Sequence, residues 1–346
     1  LVRGARRLNA LTTRLHEQGD YKMKAVTVTD DGVKILDAPT PKPNATQVLV
    51  RVRACGLNRA DLMVASGMAH GAVGGAGTIV GMEVSGEIAE VGSEVSGFAV
   101  GDRVMCSTAS AWAEYAVADY GRTVKIPDTN MSYEKAATLP VALQTMHDAV
   151  VTHGALTPGK TIMIQGASSG VGIMGMQIAK LKGASLVVGS STNAERRGRL
   201  SDFGADLAVD PSDPSWVYQV LEATDGRGVD TIVDQVSGYV ANQNLAATAI
   251  LGRIVNVGRL GGFSGDFNFD LHAARRISYI GVTFRTRSIE EIREIVRLTW
   301  EDLGDAVVRG DLSLPMDRSY QIEEVTDALA RMKANEHFGK ITLSVG

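Results

Sequence analysis

The sequence predicts an α/β protein in two parts: a doubly wound parallel sheet, and a β-rich unit folded as a small, partly open barrel. Three observations carry this. Short alternating runs crowd residues 23–125 with little helical patterning between them. From residue 161 to 282 short apolar runs alternate with stretches of helical spacing, as in consecutive βαβ units. At the join stands Lys160–Lys182 (KTIMIQGASSGVGIMGMQIAKLK), which reads as strand, glycine turn and helix. At 346 residues the chain is long enough for two cores.

Composition excludes several classes. Apolar content of 45%, charged content of 21% and a net charge of −4 describe an ordinary globular chain with no overall basic field for nucleic acid. No apolar run reaches the ~18 residues of a membrane span. The two cysteines, Cys55 and Cys106, are too few for a disulfide framework or a four-cysteine zinc site. They fit a reducing compartment, so a cytoplasmic location is expected.

Residues 1–22 are set apart by Arg3, Arg6, Arg7 and Arg14. They read as an N-terminal extension, whether a flexible tail, a start-site artefact or a transit segment. Strands are expected at Lys24–Thr29, Val33–Leu36, Gln47–Ala54, Val84–Val91, Gly101–Met105 and Trp112–Val117. Tyr133–Val151 has helical spacing. Thr161–Gln165 is an apolar run with strand length, and Val171, Met174, Ile178 and Leu181 mark the helix after the turn. The alternation continues with strands at Leu186–Gly189, Leu207–Val209, Asp230–Val236, Arg253–Val257 and Ile277–Val282. Helices are expected at Ala194–Phe203, Pro214–Ala223 and Asn242–Leu251. Two tail helices, Ile289–Leu303 and Ile322–Met332, precede a closing strand, Ile341–Val345, expected to return to the β-rich unit.

A strand, a tight glycine turn and a helix start form the arrangement that binds a dinucleotide. Backbone N–H groups approach the pyrophosphate there, and the helix dipole favours negative charge. The turn is Gly166, Ala167, Ser168, Ser169, Gly170, Val171 and Gly172.

From Met23 to Gly346 the chain resembles the medium-chain dehydrogenase/reductase superfamily, in its zinc-free quinone oxidoreductase (zeta-crystallin-like) branch. The resemblance rests on CGLNRADL at Cys55–Leu62, GMEVSGEIAEVG at Gly81–Gly92, GDRV, LPVALQT at Leu139–Thr145, GASSGVG, GVDTIVDQV, GRIVNVG and HFGKITL, in that order. It implies a GroES-like catalytic domain from residues 23–143 and 285–346, and a Rossmann domain over 144–284. The positions that hold catalytic zinc in the family's alcohol dehydrogenases match Asn58, Met82 and the neighbourhood of Thr145. An amide, a thioether and a hydroxyl do not replace two thiolates and an imidazole, so no metal is expected.

An NAD site ends its second strand with an acid for the ribose 2′-hydroxyl, about 20 residues after the turn. Ser191 stands in that place, and Arg196, Arg197 and Arg199 follow. A hydroxyl with the Arg196 guanidinium suits a 2′-phosphate, which points to NADPH. The three arginines also read as a solvated helix face. Pro211 stands where some relatives carry a phosphate-contacting tyrosine. Ser169 replaces a family glycine, either as a donor to the pyrophosphate or as a neutral change.

The resemblance implies that Asn58 lies beside the nicotinamide, with Thr145 near its amide; Asn58 also reads as a helix cap. Val257, Gly258 and Lys340 are expected at the cofactor, with Lys340 otherwise a solvated strand end. Phe284 is expected at the cofactor or on the substrate wall. Met63 and the run Gly67–Gly77 replace the aromatic platform of relatives, and His70 reads as a proton donor or an exposed loop residue. The expected substrate is a quinone or enone, with an enoyl thioester or a haloacrylate as the alternative, or a cofactor-binding protein of weak activity. The edge strand at Ile277–Val282 is expected to pair two copies into a dimer.

Overall fold

Alternating small apolar and polar side chains between residues 22 and 125 make strands. The computed structural model, which describes residues 22–71, 73–127 and 130–346, shows β1 (Lys22–Thr29), β2 (Gly32–Pro39), β3 (Gln47–Gly56), β4 (Glu83–Val91), β5 (Arg103–Ser107), β6 (Tyr115–Asp119) and β7 (Thr123–Lys125), with helix α1 (Arg59–Ala65) between β3 and β4. The extension expected at the N-terminus lies almost wholly outside the described residues. In β3 the alternation buries Val48, Val50 and Val52 and exposes Arg51. The strand expected at Trp112 starts at Tyr115 instead. Trp112 is fully buried against Gly81, where a Cβ would stand 2.3 Å from the indole.

The single helix expected over Tyr133–Val151 is three pieces: α2 (Tyr133–Ala137), α3 (Pro140–Met146) and a π-helical turn at His147–His153. Pro140 causes the first break. It cannot donate to the preceding turn, and it opens α3 at the first helical position.

The second half builds the parallel sheet. Its elements are β8 (Thr161–Gln165), α4 (Gly170–Leu181), β9 (Leu186–Ser190), α5 (Ala194–Gly198), β10 (Leu207–Val209), α6 (Trp216–Glu222), β11 (Val229–Asp234), α7 (Ala241–Ala247), β12 (Thr248–Asn256), α8 (Phe269–Arg275) and β13 (Ser278–Gly281). The helix expected to run to Phe203 gives way to a 3-10 turn at Leu200–Phe203. The helix expected over Asn242–Leu251 stops at Ala247, and Thr248 already pairs with Val229. A register shift follows, Leu251 takes φ +64°, and Ile250 and Leu251 turn outward. Helical spacing concealed a bulged strand.

The strand order β10-β9-β8-β11-β12-β13 is the 3-2-1-4-5-6 order of a Rossmann sheet, and β13 is its edge. The tail supplies α9 (Ile289–Arg309), β14 (Met316–Gln321), α10 (Val325–Lys333) and β15 (Lys340–Ser344). β15 pairs antiparallel with β3, so the chain does return to the first unit. β14 was not legible in MDRSYQ, which is mostly exposed. The second sheet runs β14-β15-β3-β4-β5-β7 with β6 on β3, an open path rather than a closed barrel. Arg293 of α9 clasps Asp119 of β6 through two bonds of 2.9 and 2.7 Å. No helix among the described residues is long and apolar enough to cross a membrane.

Candidate active site

The strand order reverses between β8 and β11, so the connections leaving their paired carboxyl ends run to opposite sides and open a crevice. Into it project the turn after β8 and the loop after β11. Gly166 takes φ +73° at the start of the turn. A Cβ on Gly172 would stand 2.6 Å from the Gly166 carbonyl and 2.7 Å from Ala167 Cα, so the turn closes only over glycine. Ser169 is the N-cap of α4: its Oγ accepts from Gly172 N–H at 3.0 Å and lies 3.0 Å from Gly166 O and 3.1 Å from Gln235 Oε1. The turn itself engages the hydroxyl expected to reach a pyrophosphate.

Buried amides hold the turn from below. Gln165 Nε2 donates to Asn244 at 2.8 Å, Ser190 Oγ donates to Gln165 Oε1 at 2.6 Å and accepts from Gly166 N–H at 3.0 Å, and Gln235 Nε2 donates to Gln165 O at 3.1 Å. Sequence reading missed this network; its one signal was a glutamine ending an apolar strand. Gly258 belongs to the same crevice, since a Cβ there would meet Gln235 O at 2.6 Å, and Val257 N–H bonds Asp234 O.

A cleft of about 220 Å³ opens beside the turn, with Val236, Tyr239 and Leu260 on one wall. On the other, Ser191 Oγ lies 3.0 Å from Ser168 Oγ. The three arginines after β9 part company. Arg197 bonds Asp210 at 3.0 Å and Ser191 O at 2.8 Å, and Arg199 lies 4.0 Å over the Phe338 ring. Arg196 alone turns into the cleft, where it bonds the side chain and carbonyl of Asn335. Arg59, which the sequence reading passed over, reaches the same Asn335 Oδ1 at 3.0 Å and Met332 O at 3.0 Å. Neither guanidinium is ion-paired among the described residues; partial burial lowers the pKa of both, Arg59 keeping an exposed face, while the more distant Glu195 and Asp317 act on Arg196 in the opposite sense. His337 is nine-tenths buried in the same cleft, and burial followed by Arg59 and Arg196 pushes it down to about 4. Its Nδ1 has no partner among the described residues. A glycine cradle at one end and, at the other, two guanidiniums bonded only to an amide and to carbonyls fit a phosphorylated dinucleotide.

The second cluster centres on Asn58. Its amide spans two partners outside α1: Nδ2 donates to Glu83 Oε1 at 2.9 Å, and Oδ1 accepts from Lys340 Nζ at 2.9 Å. Lys340 Nζ also donates to Leu57 O at 2.8 Å and Glu83 Oε1 at 2.5 Å, which uses all three ammonium protons. Glu83 Oε2 takes Val141 N–H at the start of α3. Glu83 is 0% exposed and Lys340 3%, so the solvated-end reading of Lys340 is wrong. Lys340 also packs on the glycine turn, because a Cβ at Gly170 would meet its Cδ at 2.7 Å. A bridge between Ser169 and Gly339 joins the same two segments.

Asp61 accepts Asn58 N–H at 2.7 Å, so the acid closes the start of α1 while the Asn58 amide keeps its bonds to Glu83 and Lys340. Burial drives the Asp61 carboxyl up to about 7 against the pull of Asn58 N–H and Lys340. The unfolded group titrates at 3.8. Between those values the folded chain holds a proton that the unfolded chain has released, so this contribution makes stability fall as pH rises, and the fall ends above about 7. Asp61→Asn keeps the acceptor. Urea unfolding at pH 5 and pH 8 should show it gaining on the wild type by about 2 kcal/mol over that interval. A constant difference would refute the assignment.

Thr145 lies on α3, half-buried, and its hydroxyl finds no partner among the described residues. Phe284 is half-buried with Arg287 5.8 Å from its ring, and it does not line the cleft. His70 N–H bonds Val73 O at 2.7 Å within the Gly67–Gly77 run; its ring is partly buried, and burial followed by Arg285 lowers its pKa.

The alcohol dehydrogenase GroES-like domain model matches residues 44–128, and the zinc-binding dehydrogenase model matches residues 170–301. A phenolphthiocerol/phthiocerol polyketide synthase of Mycobacterium tuberculosis is 28% identical over 315 residues, 91% of this chain. The chain spans only 14% of that relative's length. The crystal structure of the CurK enoyl reductase superposes with a TM-score of 0.84 at 24% identity, covering 94% of this chain and 100% of that one. A quinone oxidoreductase from Pseudomonas syringae pv. Tomato DC3000 superposes with a TM-score of 0.82 at 26% identity, covering 93% and 99%. With its GroES-like unit, Rossmann sheet and switch-point cleft, the chain belongs to the medium-chain dehydrogenase/reductase superfamily, in its quinone-oxidoreductase-like branch.

Proposed function

We propose that this protein is an NADPH-dependent, zinc-independent reductase that passes hydride to a quinone or an α,β-unsaturated carbonyl compound. The observation that carries the reading is the cleft that joins a glycine turn to Ser191, Arg196 and Arg59 with no acid among them. When bound, the nicotinamide supplies the hydride. Gly166–Gly172 would cradle the pyrophosphate, Val257 and Gly258 would flank the nicotinamide, and Ser191 with Arg196 would take the 2′-phosphate.

With the domains divided at 143/144 and 284/285, the site would lie where the two units meet. Asn58 is an active-site amide in this reading. One of its two N–H bonds goes to Glu83, leaving the other to orient a carbonyl oxygen and stabilise the enolate that hydride addition creates. Thr145 offers its unpaired hydroxyl to the same oxygen or to the carboxamide. Asn58 Oδ1, the oxygen a metal would need at this position, is already taken by the Lys340 ammonium, which supports a zinc-independent reaction.

The second reading, an enoyl-thioester reductase, draws support from the polyketide synthase that matches 91% of this chain. Steady-state assays with NADPH over 1,4-quinones, enones, acrylates and enoyl thioesters separate the two by kcat/KM. Turnover of a quinone or enone is expected, whereas metal-dependent alcohol oxidation alone would overturn the proposal.

A homodimer through β13 is part of the proposal. The edge strand is short, and Phe269, 77% exposed, reaches it through Phe267, whose ring lies 5.1 Å from Phe269 and 5.6 Å from Tyr279 of β13. Light scattering should give about twice the chain mass; the mass of one chain would rule the dimer out.

A further inference from the structure

Arg59 and Arg196 come from different units. Arg59 opens α1 of the β-rich unit, directly after Asn58, and Arg196 lies in α5 of the parallel sheet. Both donate to one neutral acceptor, Asn335 Oδ1, at 3.0 and 3.3 Å. Two other guanidiniums that tie elements together are neutralised by acids, Arg197 by Asp210 and Arg293 by Asp119. Here two like charges converge on an amide, beside the buried His337 Nδ1 that has no partner among the described residues. The like charges repel, and an anion between them would relieve that repulsion.

We infer that Arg59 is a second ligand for the cofactor's 2′-phosphate, donated across the cleft by the β-rich unit. This rests on the NADPH reading. A phosphate dianion presents enough acceptors for two guanidinium forks, one from each unit. Bound there, it fastens the β-rich unit to the nucleotide sheet. Because Arg59 is bonded to Asn58 through one peptide link, the same contact sets the active-site amide. NADH carries a hydroxyl in place of the phosphate and makes no such link. The residue is therefore a specificity determinant that discriminates the two cofactors and couples that choice to Asn58.

Isothermal titration of the full chain with NADPH, NADH, adenosine 2′,5′-bisphosphate and 5′-AMP tests this without turnover. Arg59→Gln should weaken NADPH and the bisphosphate by roughly tenfold or more, the size of a lost charge-assisted bond, and alter NADH and AMP less than twofold. Arg59→Lys, which keeps the charge but not the fork, should fall between. Asn335 is exposed and sits at φ +57°, a conformation aspartate also accepts. Asn335→Asp should selectively weaken the bisphosphate by placing a carboxylate between the guanidiniums, and it tests the idea even if Arg59→Gln fails to fold. Equal weakening of NADPH and NADH by Arg59→Gln would move Arg59 to the pyrophosphate and overturn the inference, as would unchanged affinities in either variant. A wild type that binds NADH as tightly as NADPH would instead sink the NADPH reading, and the inference with it.

Discussion

Lys340→Met is expected to destabilise the folded protein by about 3–5 kcal/mol, the cost of leaving a buried charge without its partner. The carboxylate left behind is Glu83, 0% exposed, and Asn58 Oδ1 and Leu57 O lose their donor as well. Glu83→Gln with Lys340→Met removes both charges, so the double variant should be less destabilised than the sum of the singles. Urea midpoints of the three variants give the comparison. A Lys340→Met chain within about 1 kcal/mol of wild type would mean that the buried Lys340–Glu83 pair does not hold this part of the fold together. The same variant removes one of the two bonds that fix the Asn58 amide, so carbonyl reduction should fall further than cofactor affinity does.

The second large effect concerns the glycine turn. Gly172→Ala puts a Cβ 2.6 Å from Gly166 O and 2.7 Å from Ala167 Cα, both backbone atoms that cannot swing aside. Opening the turn should cost about 1–3 kcal/mol, in keeping with other overpacked sites. Felt at the pyrophosphate, that is about a tenfold to hundredfold loss of NADPH affinity. Gly198→Ala is the control: nothing lies within 4 Å of its Cβ, so affinity should not change. Titration of both variants with NADPH decides the point, and an unchanged affinity for Gly172→Ala would contradict the role of the turn.

The parallel sheet was largely legible because its signals are local and repeated. Thr161–Gln165 and Leu207–Val209 fall where the apolar runs place them, and the glycine turn stands between β8 and α4. Failures came where tertiary pairing overrode spacing. Asn242–Leu251 reads as one helix, yet Thr248 joins β12 because Val229 offers it a ladder, which no local pattern reveals. Pro140 is a breaker inside a helical run, visible in the sequence, and it starts a new helix.

In the site, Gly166–Gly172, Ser191 and Arg196 were readable because phosphate binding needs those residue types in that order. Glu83, Asp61 and Arg59 stand in motifs the sequence displays, but their work depends on partners 25 to 276 residues away or on burial. Ser169 was noticed as a departure, and only the cap bond to Gly172 N–H shows what it does.

The most direct test is how the wild-type chain binds its two candidate cofactors. Isothermal titration at low ionic strength should give a dissociation constant for NADPH at least about tenfold below that for NADH, as expected for a dianion held by paired guanidiniums. Added salt should narrow the gap by screening that contact. Equal affinities, or tighter binding of NADH, would contradict the assignment of Ser191, Arg196 and the cleft they line.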